Sequence, residues 1–94
     1  MTTDVNIIDA EGRSRFEALS DGKLVGYLEY RRAEDTADYL HTFVSRRERE
    51  HGVGGELVRA ALDDAWHRGL KVKPSCGFVA DWISRHPDYG PLLK

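Results

Sequence analysis

The sequence predicts a single α+β domain in which helices flank a mostly antiparallel sheet. Up to Val44, apolar residues alternate or gather in runs of strand length, and turn residues separate those runs. From Leu57 onward, apolar residues recur at helical spacing instead. Because the strands come first and are joined by short connections, we expect them to pair as an antiparallel meander with the helices packed on it.

The strands are assigned from short segments rich in apolar and aromatic residues. Asp21-Gly22 is typical of a two-residue hairpin turn, because both positions tolerate positive φ. Arg31 to Thr36 is polar and charged and is predicted to be a loop. Four segments are predicted as strands: Val5 to Ala10, Arg15 to Ser20, Lys23 to Tyr30 and Ala37 to Val44.

Two helices and one more strand are predicted in the second half. An amphipathic helix covers Glu56 to Arg68, and Gly69 ends it. Leu70 to Lys73 is a short strand that Pro74 stops. The apolar residues from Phe78 onward fall on one side of a second helix, which Pro87 ends.

A glycine-rich turn from Arg49 to Gly55 leads directly into the first helix. The first N–H groups of a helix have no internal partner, and the helix dipole makes that end positive. No Ser, Thr, Asp or Asn stands where an N-cap is expected, so these donors are free for an outside anion such as phosphate. The alternative is a helix start that uses glycine only to turn.

Composition narrows the function classes. The formal net charge of −2 shows no overall excess of basic residues, so we do not expect the protein to bind nucleic acid. No apolar run is long enough to span a membrane, and Met1 to Asp4 has no signal-peptide character. The single cysteine fits a cytoplasmic protein. The histidines and the cysteine lack the spacing of metal ligands, so we expect no metal.

Neither common nucleotide-binding motif fits the glycine turn. It lacks the Gly-Lys-Ser/Thr of a Walker loop and the third glycine of a dinucleotide fingerprint. Arg49-x-x-Gly52-x-Gly54 instead resembles the pyrophosphate-binding signature R/Q-x-x-G-x-G/A of the GNAT superfamily of N-acetyltransferases. A small, compact branch of that superfamily resembles the chain at four motifs in the same order: His41-Thr42, Arg49 to Gly55, Pro74-Ser75-Cys76-x-Phe78-Val79 and Arg85-His86-Pro87-x-Tyr89.

The resemblance implies a minimal GNAT-like fold and transfer of an acetyl group from acetyl-CoA to an amine, with direct transfer favoured. It implies that backbone groups at the end of the strand pair with the pantetheine arm, and that the glycine turn takes the pyrophosphate. Glu50 departs from the family, in which many members have glycine, and would weaken phosphate binding if its carboxylate pointed inward. The implied cofactor-binding residues are Thr42, Phe43, Val44, Arg49, Glu50, His51, Gly52, Val53, Gly54, Gly55 and Cys76.

His41 and Cys76 are the candidate catalytic residues. His41 could act as general base, because a histidine side chain can exchange a proton at physiological pH. Its alternation with Tyr39 and Phe43 predicts that all three lie on one face of the sheet. The alternative for His41 is a structural role. Cys76 begins a predicted helix, where the dipole lowers a thiol pKa. It could be a buried structural residue, a group beside the leaving CoA sulfur, or a nucleophile.

The chain is short for this superfamily, and we expect it to lack the N-terminal helices that help to wall the acceptor site in larger relatives. A second hypothesis is therefore a CoA-binding or protein-interaction module with little catalysis. We expect a monomer or weak dimer, and the amine acceptor, a small molecule or a protein, is not identified by the sequence.

Overall fold

The computed structural model describes residues 5–94, so the signal-peptide prediction for Met1 to Asp4 falls outside the described residues. One five-stranded sheet has the order β1-β2-β3-β4-β5. The first four strands are antiparallel, and β5 runs parallel to β4. This is the predicted α+β fold. The strands are β1 Asn6–Ala10, β2 Arg15–Ser20, β3 Lys23–Ala33, β4 Thr36–Val44 and β5 Lys71–Lys73; the α-helices are α1 Val53–Arg68 and α2 Gly77–Arg85.

The core lies between one face of the sheet and α1. Buried residues of β2, β3 and β4, among them Phe16, Leu28 and Tyr39, pack against the apolar side of α1. The Tyr39 hydroxyl donates a hydrogen bond of 2.6 Å to the Ala61 carbonyl, which fixes β4 against the middle of the helix. Gly69, at φ 72°, ends α1 in the left-handed conformation that the sequence predicted.

In the part of the chain that the structure describes, no α-helix covers the opposite face of the sheet. One row of residues crosses its four antiparallel strands: Ile8, Glu17, Tyr27 and Phe43. Ile8 and Phe43 remain 37% and 40% exposed. We call the surface formed by this row and the neighbouring row of Arg15, Glu29 and His41 the open face.

The predicted loop from Arg31 to Thr36 is wrong. β3 continues to Ala33 and β4 begins at Thr36, so only Glu34 and Asp35 form the turn. The polar character of the segment has another cause, because the half-buried Arg32 guanidinium bridges Asp9 of β1 at 2.9 Å and Asp64 of α1 at 3.0 Å. A charged residue whose charge is paired in this way is compatible with a strand, so a polar composition alone does not indicate a loop.

A β-bulge in β4 makes a second prediction wrong, namely that Tyr39, His41 and Phe43 lie on one face of the sheet. Glu29 pairs with His41, whereas the next residue of β3, Tyr30, pairs with Tyr39, so Leu40 is an extra residue. The extra residue reverses the alternation. Tyr39 therefore faces α1 and is 1% exposed, whereas His41 and Phe43 lie on the open face beside Tyr27.

Smaller differences occur around the helices. α1 begins at Val53, three residues before the predicted Glu56, and a 3₁₀ helix over Arg46–His51 precedes it. A second 3₁₀ helix, Pro87–Leu92, follows α2, and Leu93 then bridges in parallel to Val72 of β5. Within residues 5–94, no helix is both long and apolar enough to cross a membrane.

Candidate active site

A cleft opens where β4 outlasts its neighbour. β5 pairs only with Thr36 to Asp38 of β4, and the Cys76 N–H then donates to the Tyr39 carbonyl at 2.8 Å. Beyond that point the outer edge of β4 borders a cleft of about 540 Å³ instead of a strand. Its lining residues are His41, Thr42, Phe43, Val44, Arg49, Gly52, Gly54, Gly55 and Phe78.

Backbone groups of Thr42 and Val44 point into this cleft. The Val44 carbonyl accepts a hydrogen bond of 3.1 Å from Arg49 Nε, and the Thr42 N–H donates to the Cys76 sulfur. In a strand, the N–H and C=O of one residue point to the same side, and successive residues alternate. The Thr42 carbonyl and the Val44 N–H therefore lie along the cleft, whereas the corresponding groups of Phe43 face β3.

The start of α1 forms the floor at the other end of the cleft. Gly52 is the N-cap, with φ 76° and ψ 15°, and it has no side chain to bond the first helical N–H groups. No side chain caps α1, as the sequence predicted, so the first N–H groups of the helix have no side-chain partner at the end of the cleft that the glycines line.

The glycines also allow close packing of α2. A Cβ added to Gly54 would meet Phe78 Cζ at 2.9 Å, and one on Gly55 would meet Trp82 Nε1 at 3.3 Å. The ring of Phe78, which is 48% exposed, thus covers the first turn of α1 from the side.

Cys76 stands at the N-cap of α2, with its sulfur 3.5 Å from the Thr42 hydroxyl oxygen. Burial alone would raise the pKa of the thiol. Hydrogen bonds from the Thr42 hydroxyl and from the backbone N–H groups of Val79, Phe78 and Thr42 outweigh burial, so the net effect lowers the pKa. The site therefore favours a thiolate at this position more than bulk water does.

The cleft is lined by side chains from both faces of the sheet, and we call the part lined by His41 and Phe43 its open-face mouth. Because of the bulge, Thr42 and Val44 face the side of the sheet that carries α1 and the glycine turn, whereas His41 and Phe43 face the open face. His41 is exposed and lies with its ring centroid 6.2 Å from that of Tyr27. A ligand in the cleft would thus be accessible from both sides.

Most of the residues predicted from sequence line the cleft, but four do not. Glu50 and His51 are exposed in the 3₁₀ helix, Val53 is fully buried as the first residue of α1, and Cys76 contacts Thr42 just outside the lining. Phe78 lines the cleft and was not predicted as a site residue. Its place beside Cys76 in the third motif was the only available signal.

A second groove of about 630 Å³ lies at the other end of β4, between the β3–β4 turn and the C-terminus. Its charged residues are of both signs, and no helix begins there. In the described part of the chain, no three His, Cys, Asp or Glu side chains are grouped so that they could hold a metal ion.

Solved structures share this architecture. A GCN5-like protein from Staphylococcus aureus, solved by NMR, is 21% identical with a TM-score of 0.72, over 99% of this chain and 89% of its own. Ard1 from Thermoplasma volcanium is 26% identical with a TM-score of 0.58, over 63% of this chain and 41% of its own.

PaiA N-acetyltransferase from Thermoplasma acidophilum, solved with coenzyme A, is 14% identical with a TM-score of 0.58. That match covers 79% of this chain and 48% of PaiA, so the chain spans less than half of either Thermoplasma protein. The two likenesses below 25% identity show a shared fold.

A family model described as GCN5-related N-acetyltransferase matches residues 15–92, which include every strand from β2 onward, both helices and the whole cleft. The resemblance inferred from four short motifs is thereby confirmed over most of the chain. The protein belongs to the GCN5-related N-acetyltransferase family.

Proposed function

We propose that the protein is an acetyl-CoA-dependent N-acetyltransferase that transfers the acetyl group directly to an amine. The observation that carries this proposal is the free edge of β4 beside an uncapped helix start. An edge strand offers regularly spaced hydrogen bonds to an extended amide chain, and a helix start offers clustered N–H donors to an anion. A pantetheine arm joined to a pyrophosphate combines both kinds of group.

The residues present fit the cofactor. The Thr42 carbonyl and the Val44 N–H would pair with the pantetheine amides, and the N–H groups that follow Gly52 would take the pyrophosphate. Arg49 stands between these two parts, where its remaining guanidinium N–H groups can reach a phosphate. Glu50 does not line the cleft, so its carboxylate does not oppose phosphate there.

Acetyl-CoA would supply an acetyl thioester, and the chain would supply the acid–base groups. His41, which lines the cleft on its open-face side, would take the proton of an attacking amine. Cys76, on the opposite side of β4, would in its protonated thiol form give a proton to the departing CoA thiolate, and its lowered pKa would make it a stronger acid for that step. These positions separate the base from the leaving group, as direct transfer requires.

Calorimetric titration of acetyl-CoA, CoA and ATP tests the cofactor assignment. We expect micromolar binding of both CoA species and much weaker binding of ATP, because ATP has no pantetheine arm for the β4 edge. Arg49→Met should weaken CoA binding about tenfold, the effect of losing one charged phosphate contact. Arg47→Met is the matched control, since Arg47 is exposed in the same 3₁₀ helix and does not line the cleft.

Three outcomes would contradict the proposal at different steps. Failure of both CoA species to bind would show that the glycine turn is only a turn. Tight CoA binding without transfer to any amine would instead favour a CoA-binding module. An acetylated Cys76 in a rapidly quenched reaction would replace direct transfer with a covalent route.

A further inference from the structure

Resting on the proposed function, we infer that the open face of the sheet is the docking surface for the acceptor, and that this acceptor is an amine carried by an extended polypeptide segment. The amine would be a lysine side chain or an N-terminus. The polypeptide would lie across the strands, with its amine at the His41 mouth of the cleft.

Continuity with the cleft is the first argument. His41 and Phe43 belong both to the cleft lining and to the open face. Tyr27 connects them, with ring centroids 5.3 Å from Phe43 and 6.2 Å from His41. A molecule on this aromatic surface therefore reaches the candidate base without crossing the space assigned to the cofactor.

The shape of the surface favours a polypeptide over a small amine. Small ligands are usually held in concave sites that enclose most of their surface. The open face is one side of a sheet, and within residues 5–94 no helix lies over the row from Ile8 to Phe43. The side chains of Arg13 and Arg15 cover its middle, at Glu17. Adjacent strands lie about 4.8 Å apart, so this row spans about 14 Å, which suits several residues of an extended chain.

Charge gives the third argument. Glu29 pairs directly with His41 across the β3–β4 ladder, so their side chains are neighbours on the open face. Among residues 5–94, the Glu29 carboxylate makes no hydrogen bond or salt bridge with another side chain, although the exposed Arg31 follows two residues later on β3. Arg15, which opposes Glu29 on β2, is engaged elsewhere: its Nε donates to Glu17 at 2.7 Å.

The Arg15 guanidinium also lies over the Tyr27 ring, 4.5 Å from its centroid. Glu29 is thus available to a cationic amine beside the candidate base. Before transfer, the carboxylate would hold the ammonium, and His41 would remove a proton from it.

The experiment measures acetyl transfer from acetyl-CoA to a pool of short lysine-containing peptides, and separately to butylamine and spermidine. Ile8→Ser changes the end of the row on β1, three strands away from His41 on β4. Leu24→Ser is the control, since Leu24 is 45% exposed and lies outside the row. Ile8→Ser should lower kcat/KM for peptides about tenfold, with transfer to butylamine unchanged. Glu29→Gln should lower kcat/KM for peptides by a similar factor, about tenfold, with the CoA dissociation constant unchanged.

The results separate this inference from the proposed function. Absence of CoA binding would remove both. If CoA binds but butylamine is acetylated as efficiently as peptides, or if Ile8→Ser and Leu24→Ser behave alike, the inference is overturned and the proposed function survives. A stable dimer that Ile8→Ser dissociates would also overturn it, because a second copy of the chain would then occupy the face.

Discussion

Gly52→Ala tests whether the turn before α1 requires glycine for its backbone conformation. Gly52 has φ 76° and ψ 15°, and no heavy atom lies within 4 Å of an added Cβ. The cost of alanine is therefore torsional rather than steric, about 1–2 kcal/mol for a left-handed residue. In a domain of this size each kcal/mol lowers Tm by about 4–8 °C.

Gly77→Ala is the matched control for this change. Gly77 is also at a helix start beside the cleft and also has open space around its Cβ position, but it has no left-handed φ. Alanine there should leave the free energy of unfolding unchanged or raise it by about 0.5–1 kcal/mol, through helix preference.

Urea denaturation and CoA titration of both variants complete the test. We expect Gly52→Ala to be less stable and to bind CoA more weakly, because relaxing the turn moves the first N–H groups of α1. Gly52→Asn should lose less stability, since asparagine tolerates the left-handed region better than alanine. Equal stability of Gly52→Ala and Gly77→Ala would refute the torsional argument. Unchanged CoA affinity in a destabilised Gly52→Ala would refute the assignment of these donors to phosphate.

Three further predictions concern other contacts. Thr42→Val removes a hydroxyl donor from the Cys76 sulfur and should raise the thiol pKa, seen as a shift to higher pH in the rate of alkylation; an unshifted profile would show that the hydroxyl does not reach the thiolate. Hydrogen bonds from arginine lower the pKa of Glu17 to about 2 from 4.5. Because its folded pKa is depressed, Glu17 stabilises the fold above pH 4.5, and this stability, on the order of 1 kcal/mol after solvent screening, is lost between pH 4.5 and 2. The free energy of unfolding should therefore fall less between pH 4.5 and 2 in Glu17→Gln than in the wild type, and an equal fall in both proteins would contradict this role of Glu17. Arg32→Met removes one of the two arginines that bridge Asp9 and Asp64. Because Arg68 still contacts both carboxylates, the change should cost only about 1–2 kcal/mol in urea denaturation, whereas Arg31→Met, at an exposed neighbour, should cost far less; equal costs would contradict the bridge.

The parts of the fold that follow from local pattern were predictable from sequence. The alternation of apolar and polar residues predicted the bounds of β2, and Asp21-Gly22 predicted the hairpin turn that joins β2 to β3. Helical spacing and Gly69 gave the end of α1. These features depend on interactions within a few residues, so the sequence carries them directly.

Features that depend on distant partners were not predictable in this way. Arg31 to Thr36 has loop-like composition, and its strand character comes from pairing across the hairpin and from the bridges that Arg32 makes to Asp9 and Asp64. Phe78 joins the cleft only because Gly54, far away in sequence, lets its ring approach the helix. Neither contact leaves a periodic signal in the chain.

The bulge at Leu40 connects the fold with the proposed chemistry. In a regular strand His41 would share the face of Tyr39 and would point into the core beneath α1. The extra residue instead turns His41 toward the open face, while Thr42 and Val44 face the glycine turn. One inserted residue therefore puts His41 on one side of the sheet and Thr42 and Val44, beside the glycine turn, on the other. Under the proposed function, that division would let an acceptor and acetyl-CoA approach the same cleft from opposite sides without competing for space.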